Sequence, residues 1–194
     1  NSLTNYYSPI YKFIRKTQTL GKLDNLLDAK ILTIKRRARY LILDFNNEHS
    51  LIIHLGMSGR ININNDFNQL KHDHFACQLD NKKWLIYNDP RRFGFVDLVI
   101  SKNLSSHKML KNLGPEPLST EFDLPYLLQK LATKNCNIKT TMMDNQIVVG
   151  VGNIYINESL FLAKIPPTKI AKNLSKNEIS RLITAIKKTI ATAI

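Results

Sequence analysis

The stretch Asn88-Asp89-Pro90-Arg91-Arg92-Phe93-Gly94 (residues 88–94) separates two runs rich in β-formers, at about 83–89 and 94–100. Asp-Pro starts a turn, and Gly94 frees the backbone just past the Phe93 ring. Strand, tight turn, strand is the local reading, and it repeats outward. Runs at about 31–45, 50–55, 59–63 and 74–80 are short, rich in Ile, Leu, Val, Phe and Tyr, and separated by Asn, Asp and Gly. That spacing suggests a sandwich or barrel. Asp80-Asn81-Lys82 reads as a hairpin connection. The 88–94 turn also presents two guanidinium groups and a ring. Arginine grips phosphate through paired hydrogen bonds, and an exposed Phe can push between stacked bases. The competing reading is a polar hairpin turn whose Phe93 folds back onto the core.

His54-Leu55-Gly56-Met57-Ser58-Gly59-Arg60 follows the apolar run Leu51-Ile52-Ile53 and forms a second glycine-bounded tip. Alone, Met57 reads as a flexible filler of an irregular core gap. Together, Met57, Arg91 and Phe93 describe a plug for the hole left when a nucleotide is turned out of the stack.

The chain carries 28 Lys plus Arg against 15 Asp plus Glu, a formal net charge of +13 over 194 residues. That balance fits nucleic acid or an acidic membrane surface. The densest cluster, Lys35-Arg36-Arg37-Ala38-Arg39, lies in the strand-like run 31–45, and an alternating strand would put Lys35, Arg37 and Arg39 on one face. No window approaches the roughly 18 apolar residues of a membrane span, and no signal-peptide pattern is present. Cys77 and Cys136 fit no disulfide framework or zinc knuckle and read as reduced thiols of a cytoplasmic protein.

The second half reads as helical. Leu113-Gly114-Pro115-Glu116-Pro117 breaks regular structure and is the expected linker. Helices are expected at about 123–132 with Asp123 as N-cap, 138–144 with Asn137 as cap, and 153–163, stopped by Pro166-Pro167. Ser175-Lys176-Asn177-Glu178 is a capping box. It opens a final helix whose stripe is Ile179, Leu182, Ile183, Ile186 and Ile190, and which is expected to contain Ile194. Before the third helix, Val149-Gly150-Val151-Gly152-Asn153 turns tightly. Backbone N–H groups at a helix start, with an Asn side chain at the cap, suit an anion. The plainer reading is a glycine turn needed only for close packing.

The motifs HLGMSGR (54–60), KHDH (71–74), NDPRRFG (88–94), LGPEPL (113–118) and MDNQIVVGVGNIYINESLFLAKI (143–165) stand in an order and spacing that resemble bacterial formamidopyrimidine-DNA glycosylase. The resemblance covers about 35–194 and, less closely, the first 34 residues. It implies an α+β chain: an antiparallel β-sandwich domain over 1–112 and a helical domain with a helix–two-turn–helix motif over 113–194. It also implies a monomer acting on double-stranded DNA that holds an oxidised purine or an abasic site. The implied activity is excision of 8-oxoguanine and formamidopyrimidines, followed by strand cleavage. By resemblance, Met57, Arg91 and Phe93 match void-filling residues, and His72 and Arg91 match DNA contacts. Asn153 matches a phosphate-binding residue, and Lys139 matches a lysine near the damaged nucleotide.

Four departures qualify what the resemblance implies. The family opens on a proline whose amine is the nucleophile, followed by a catalytic glutamate, whereas this sequence opens Asn-Ser-Leu. The family's catalytic lysine is Arg39 here, which stays protonated and cannot shuttle a proton. A further DNA-contacting lysine is replaced by Asn135. The zinc finger that the family carries after its helical domain has no ligands in these residues. A piece of a longer protein, inactive by itself, is therefore expected. The alternatives are a catalytically inactive relative that binds damaged DNA and, through the helix–two-turn–helix element, an RNA-binding protein.

Overall fold

The computed structural model describes residues 3–7 and 20–193; the readings made at Asn1, Ser2 and Ile194 lie outside the described residues. The chain divides into two compact units, residues 1–107 and 108–194.

The first unit pairs two antiparallel four-stranded sheets. One runs in the order β1 (Leu3–Tyr7), β6 (Asp73–Leu79), β7 (Trp84–Asn88), β5 (Arg60–Asn64). The other runs β2 (Ile31–Arg37), β3 (Tyr40–Phe45), β4 (His49–His54), β8 (Phe95–Ile100). Successive strand side chains point to opposite faces. Leu43 and Phe45, Leu51 and Ile53, Phe75 and Cys77, Leu85 and Tyr87, and Val96 and Leu98 follow that period of two and share one buried cluster. Each Leu, Ile, Val or Phe among them taken out of water contributes about 1.5–3 kcal/mol, so this alternation holds the sheets face to face. Burial pushes the Cys77 thiol up to about 12, which leaves it a packing residue. β1 is additional to the expected strands.

The run expected as one strand over 31–45 is two. Arg37 pairs with Tyr40, so Ala38-Arg39 is a two-residue hairpin loop. Such loops need left-handed backbone, which Ala38 adopts at φ 52° without the Gly or Asn that would have signalled it. The basic stripe is corrected accordingly. Arg39 stands at the loop tip and not on a strand face, and Lys35 is paired with Asp44 at 2.6 Å.

In the second unit, the stretch expected to be a linker is packed. Gly114 N–H donates to Asn145 O at 2.7 Å, and Pro115 O accepts from Val149 N–H at 3.1 Å. A methyl group on Gly114 would lie 2.6 Å from the Ile147 carbonyl, so only glycine allows this approach. α1 (Leu124–Leu131) is capped by Asp123, and α2 (Ile138–Met142) by Asn137. α3 (Asn153–Ala163) ends on Lys164 in the left-handed region, ahead of the two prolines. α4 (Lys176–Thr192) starts on the expected capping box, and its five-isoleucine-and-leucine stripe is buried. It closes at Thr192 with Ala193 as C-cap. Ser159 and Thr189 hydroxyls meet at 3.3 Å inside the α3–α4 contact, and Arg181 Nε donates to Ala163 O at 3.1 Å.

Candidate nucleic-acid interface

Strand register gathers the first unit's candidates at one end of the sandwich. There Tyr40 pairs with His54, and His54 with Phe95, in one sheet. In the other, Asn88 pairs with both Arg60 and Asp73. The chain crosses between the sheets at that end, through residues 55–59 and 89–94. Arg39 caps the same end of the β2–β3 hairpin.

The two crossings touch backbone to backbone. Gly56, at φ 64°, has no room for a methyl group: one would lie 2.6 Å from Gly94 N. On Gly94, a methyl group would meet the Tyr87 hydroxyl and the His54 carbonyl. Arg91 Nη2 then lies 3.5 Å from Met57 Sδ, and its guanidinium stands 5.2 Å from the Phe93 ring centroid. Met57 is 73% exposed and Phe93 53%. Neither is core filler, so the structure removes the bland reading of both side chains. Two apolar side chains and one cation project together from glycine-bounded tips.

Beneath them sits Asp89, fully buried. Its Oδ1 accepts from Ser58 Oγ at 2.7 Å and Arg91 N–H at 3.3 Å. Its Oδ2 accepts from Gly94 N–H at 2.9 Å and Tyr87 O–H at 3.2 Å. Burial would raise this carboxyl, but the four donors outweigh it and hold Asp89 below the usual carboxylate range. The carbonyl of Asp89 accepts from His74 Nε2 at 2.8 Å, and its N–H donates to His72 O at 2.9 Å. Asn88 Nδ2 donates to Asp73 Oδ1 at 2.7 Å, and both residues are buried. The KHDH and NDPRRFG motifs are thus one hydrogen-bonded structure. His72 belongs to it through its backbone, and its buried Nδ1 has no partner among the described residues.

His54 stacks on Phe95 at 5.7 Å and leans on Tyr40 at 5.1 Å. Burial, and next the charge of Arg39, lower its pKa, which favours the neutral ring. Its Nδ1 accepts from Gly56 N–H at 3.2 Å, which fixes the proton on Nε2. His54, Ser58, Tyr87 and Asp89 were not singled out from sequence as site residues. Asp89 reads there only as the residue that starts a turn, because nothing local says that its carboxylate is buried.

In the second unit, Gly150 adopts φ 75°, and Gly152, not Asn153, is the N-cap of α3. Asn153 is the exposed first helical residue, which corrects its expected place at the cap. No side chain caps α3, and the first N–H groups of a helix have no partner within it. The loop before it is braced: Asp144 Oδ1 accepts from Gln146 N–H and the Tyr126 hydroxyl donates to Ile147 O, both at 2.9 Å. Lys139 lies half-buried on α2, and Asn135 is exposed ahead of it.

Among the described residues, no three His, Cys, Asp or Glu side chains come together as metal ligands. Cys77 and Cys136 lie in different units. The zinc that the resemblance implies has no ligand set in these residues, and no chemistry here runs through it. Among the described residues, no helix is long and apolar enough to cross a membrane.

Residues 10–96 match the formamidopyrimidine-DNA glycosylase N-terminal domain, and residues 113–194 the H2TH domain of the same glycosylase. A formamidopyrimidine-DNA glycosylase of Rickettsia bellii is 49% identical over 172 residues, covering 88% of this chain and 63% of that protein. One of Rickettsia felis is 48% identical over 168 residues, covering 86% and 60%. The chain therefore spans less than two thirds of the length of these curated relatives. The Lactococcus lactis enzyme, bound non-covalently to DNA containing an abasic site, superposes with a TM-score of 0.89 at 31% identity. That match covers all of this chain and 74% of the other. The same enzyme with formamidopyrimidine-dG DNA gives the same score over 72% of its chain.

Proposed function

Because the chain belongs to the formamidopyrimidine-DNA glycosylase family, we propose that it is the lesion-recognising part of a base-excision repair enzyme. The enzyme would remove oxidised purines, 8-oxoguanine and formamidopyrimidines among them, from double-stranded DNA in the cytoplasm and then cleave the strand at the abasic site. The observation that carries this is the exposed Met57–Arg91–Phe93 cluster on two mutually packed loops. A rigid apolar plug with a cation beside it suits a duplex whose nucleotide has been turned out. It fills the gap and partly offsets a few kcal/mol of unstacking.

Arg39, neutral His54 and His72 lie at the same end of the sandwich and are proposed to hold the backbone around the flipped nucleotide. Arginine there serves as a phosphate grip and not as a proton carrier. In the second unit, the uncapped start of α3 with Asn153 is proposed to take another phosphate, and Lys139 to lie near the lesion. Asn135 is proposed to contribute hydrogen bonding without charge. Excision needs an amine that attacks the sugar and an acid that moves a proton. Met57, Arg91, Phe93, Arg39, His72, Lys139 and Asn153 are assigned recognition and not these two roles.

The test compares the affinity of this chain for a duplex with a tetrahydrofuran abasic analogue and for the same duplex undamaged. Tighter binding to the first is expected. Equal affinities would remove the plug. Borohydride trapping on 8-oxoguanine duplex is expected to leave no covalent adduct, and an adduct would show that some amine in this chain is a nucleophile.

A further inference from the structure

We propose that Asp89 is the positioning residue of the plug: from inside the fold, its carboxylate sets where Arg91, Phe93 and Met57 stand relative to one another. The inference rests on the plug reading above and adds the device that makes it rigid.

A carboxylate has about four acceptor positions, and four uncharged donors occupy those of Asp89. Each donor fixes a different piece of the site. The Arg91 N–H and Gly94 N–H lie at the two ends of the segment carrying Arg91 and Phe93. Ser58 is the neighbour of Met57 on the other loop. Tyr87 belongs to β7 and is itself buried, so it ties the carboxylate to the sandwich core. Arg92, inside the turn, is held at φ 58°, and its N–H donates to Asp89 O at 3.3 Å.

Burying a charge with no ionic partner is unfavourable unless hydrogen bonds replace the lost water. A turn needs no such group, since Asp at a turn start works equally well half-exposed. A fully buried carboxylate that reaches both loops is a device for fixing two tips against each other. Side chains that must enter a stacked duplex benefit from rigidity, because ordering a loose loop on binding costs affinity.

The variant is Asp89→Asn. It keeps size and one acceptor oxygen, but in either orientation its Nδ2 is a donor facing a backbone N–H, that of Gly94 or that of Arg91. Affinities for abasic-analogue and undamaged duplex are measured for wild type, Asp89→Asn, Phe93→Ala and the double variant, each with its melting curve. The ratio of the two affinities should fall about ten-fold in Asp89→Asn, as expected for a misplaced stacking group. Undamaged-duplex affinity should fall less, by the part of its phosphate grip that a displaced Arg91 loses. In the Phe93→Ala background the same substitution should lower the ratio clearly less than it does in wild type, since coupled residues are not additive.

A residue that only stabilises the fold would lower both affinities by the same factor and add its full effect in the double variant. That result overturns the proposal, as does an unchanged ratio in a folded Asp89→Asn chain. A wild type without abasic preference overturns the plug reading itself, and the role of Asp89 with it. If Asp89→Asn does not fold, Ser58→Ala carries the comparison. It removes one donor from the carboxylate and should lower the same ratio, and no change there overturns the proposal.

Discussion

Gly56 packs against the backbone of Gly94 so closely that a methyl group on the first would stand 2.6 Å from the nitrogen of the second. The contact joins a loop that leaves β4 to a loop that enters β8. Neither motif predicts the other, since Gly56 and Gly94 stand 38 positions apart in the sequence. Their joining turns three scattered side chains into one surface feature.

The first prediction tests that contact. Gly56→Ala combines a left-handed backbone at φ 64° with a clash against backbone atoms that cannot swing away. A loss of about 2–3 kcal/mol is expected in urea unfolding. Gly150→Ala is the control. Its φ of 75° is equally unsuited to alanine, but a methyl group there meets nothing within 4 Å. It should cost only about 1 kcal/mol, the strain alone. Equal losses would mean that the loops separate freely and that their contact does not matter.

The second concerns the ring and the cation. Phe93→Ala should reduce the preference for abasic-analogue over undamaged duplex about ten-fold, because base–aromatic stacking is worth about 1–3 kcal/mol. Arg91→Ala should weaken both complexes, because a guanidinium also holds backbone phosphate, which both duplexes offer. Paired affinities for each variant check this. An unchanged preference in Phe93→Ala would leave its exposed ring without a role in recognition.

Much of this was legible in sequence, and the exceptions share a cause. The capping box at Ser175–Glu178, the Asp123 and Asn137 caps and the short β-rich runs at about 50–55, 74–80, 83–89 and 94–100 are local patterns, and the structure keeps them. The Ala38-Arg39 hairpin was hidden because a non-glycine residue takes the left-handed position. Residues 113–117 looked like a linker because Gly and Pro mark breaks, whether the chain there is free or packed. At the site, exposed motif residues were visible, whereas Asp89, Ser58 and Tyr87 were not. Their role depends on which donors meet one buried carboxylate, and that is set by contacts between distant segments.

The third prediction concerns acid. Glu178 is bonded by Lys169 Nζ at 2.7 Å and by the Ser175 backbone N–H at 2.8 Å, and these bonds hold its carboxyl down to about 2 from an ordinary 4.5. A folded-state value below the unfolded one gives stability that is fully present above about pH 4.5 and is lost as pH falls toward 2. Glu178→Gln should therefore be less stable than wild type at pH 6, and the gap should close across that window. Ser175→Ala removes the other half of the box and should cost about 1 kcal/mol. Thermal melts at stepped pH measure both. A gap that stays constant down to pH 2 would show that the carboxylate charge contributes nothing.

The last prediction separates two ways of holding phosphate. A cation that neutralises a phosphate releases counterions, so log affinity falls with log salt by about 0.9 for each such contact. Arg91→Ala and Arg39→Ala should each flatten the salt dependence of duplex binding by about that amount. The start of α3 works differently. It offers uncapped N–H groups and the neutral side chain of Asn153, so it orients a phosphate without displacing a condensed ion. Asn153→Ala should therefore weaken binding at every salt concentration while leaving the slope unchanged. Affinities measured from low to physiological salt distinguish the cases. A slope that changes in Asn153→Ala would mean that the variant disturbs cationic contacts and that α3 does not hold phosphate directly. Flat binding in the wild type would remove the phosphate backbone as the source of affinity, and Arg39 and Arg91 as its grips.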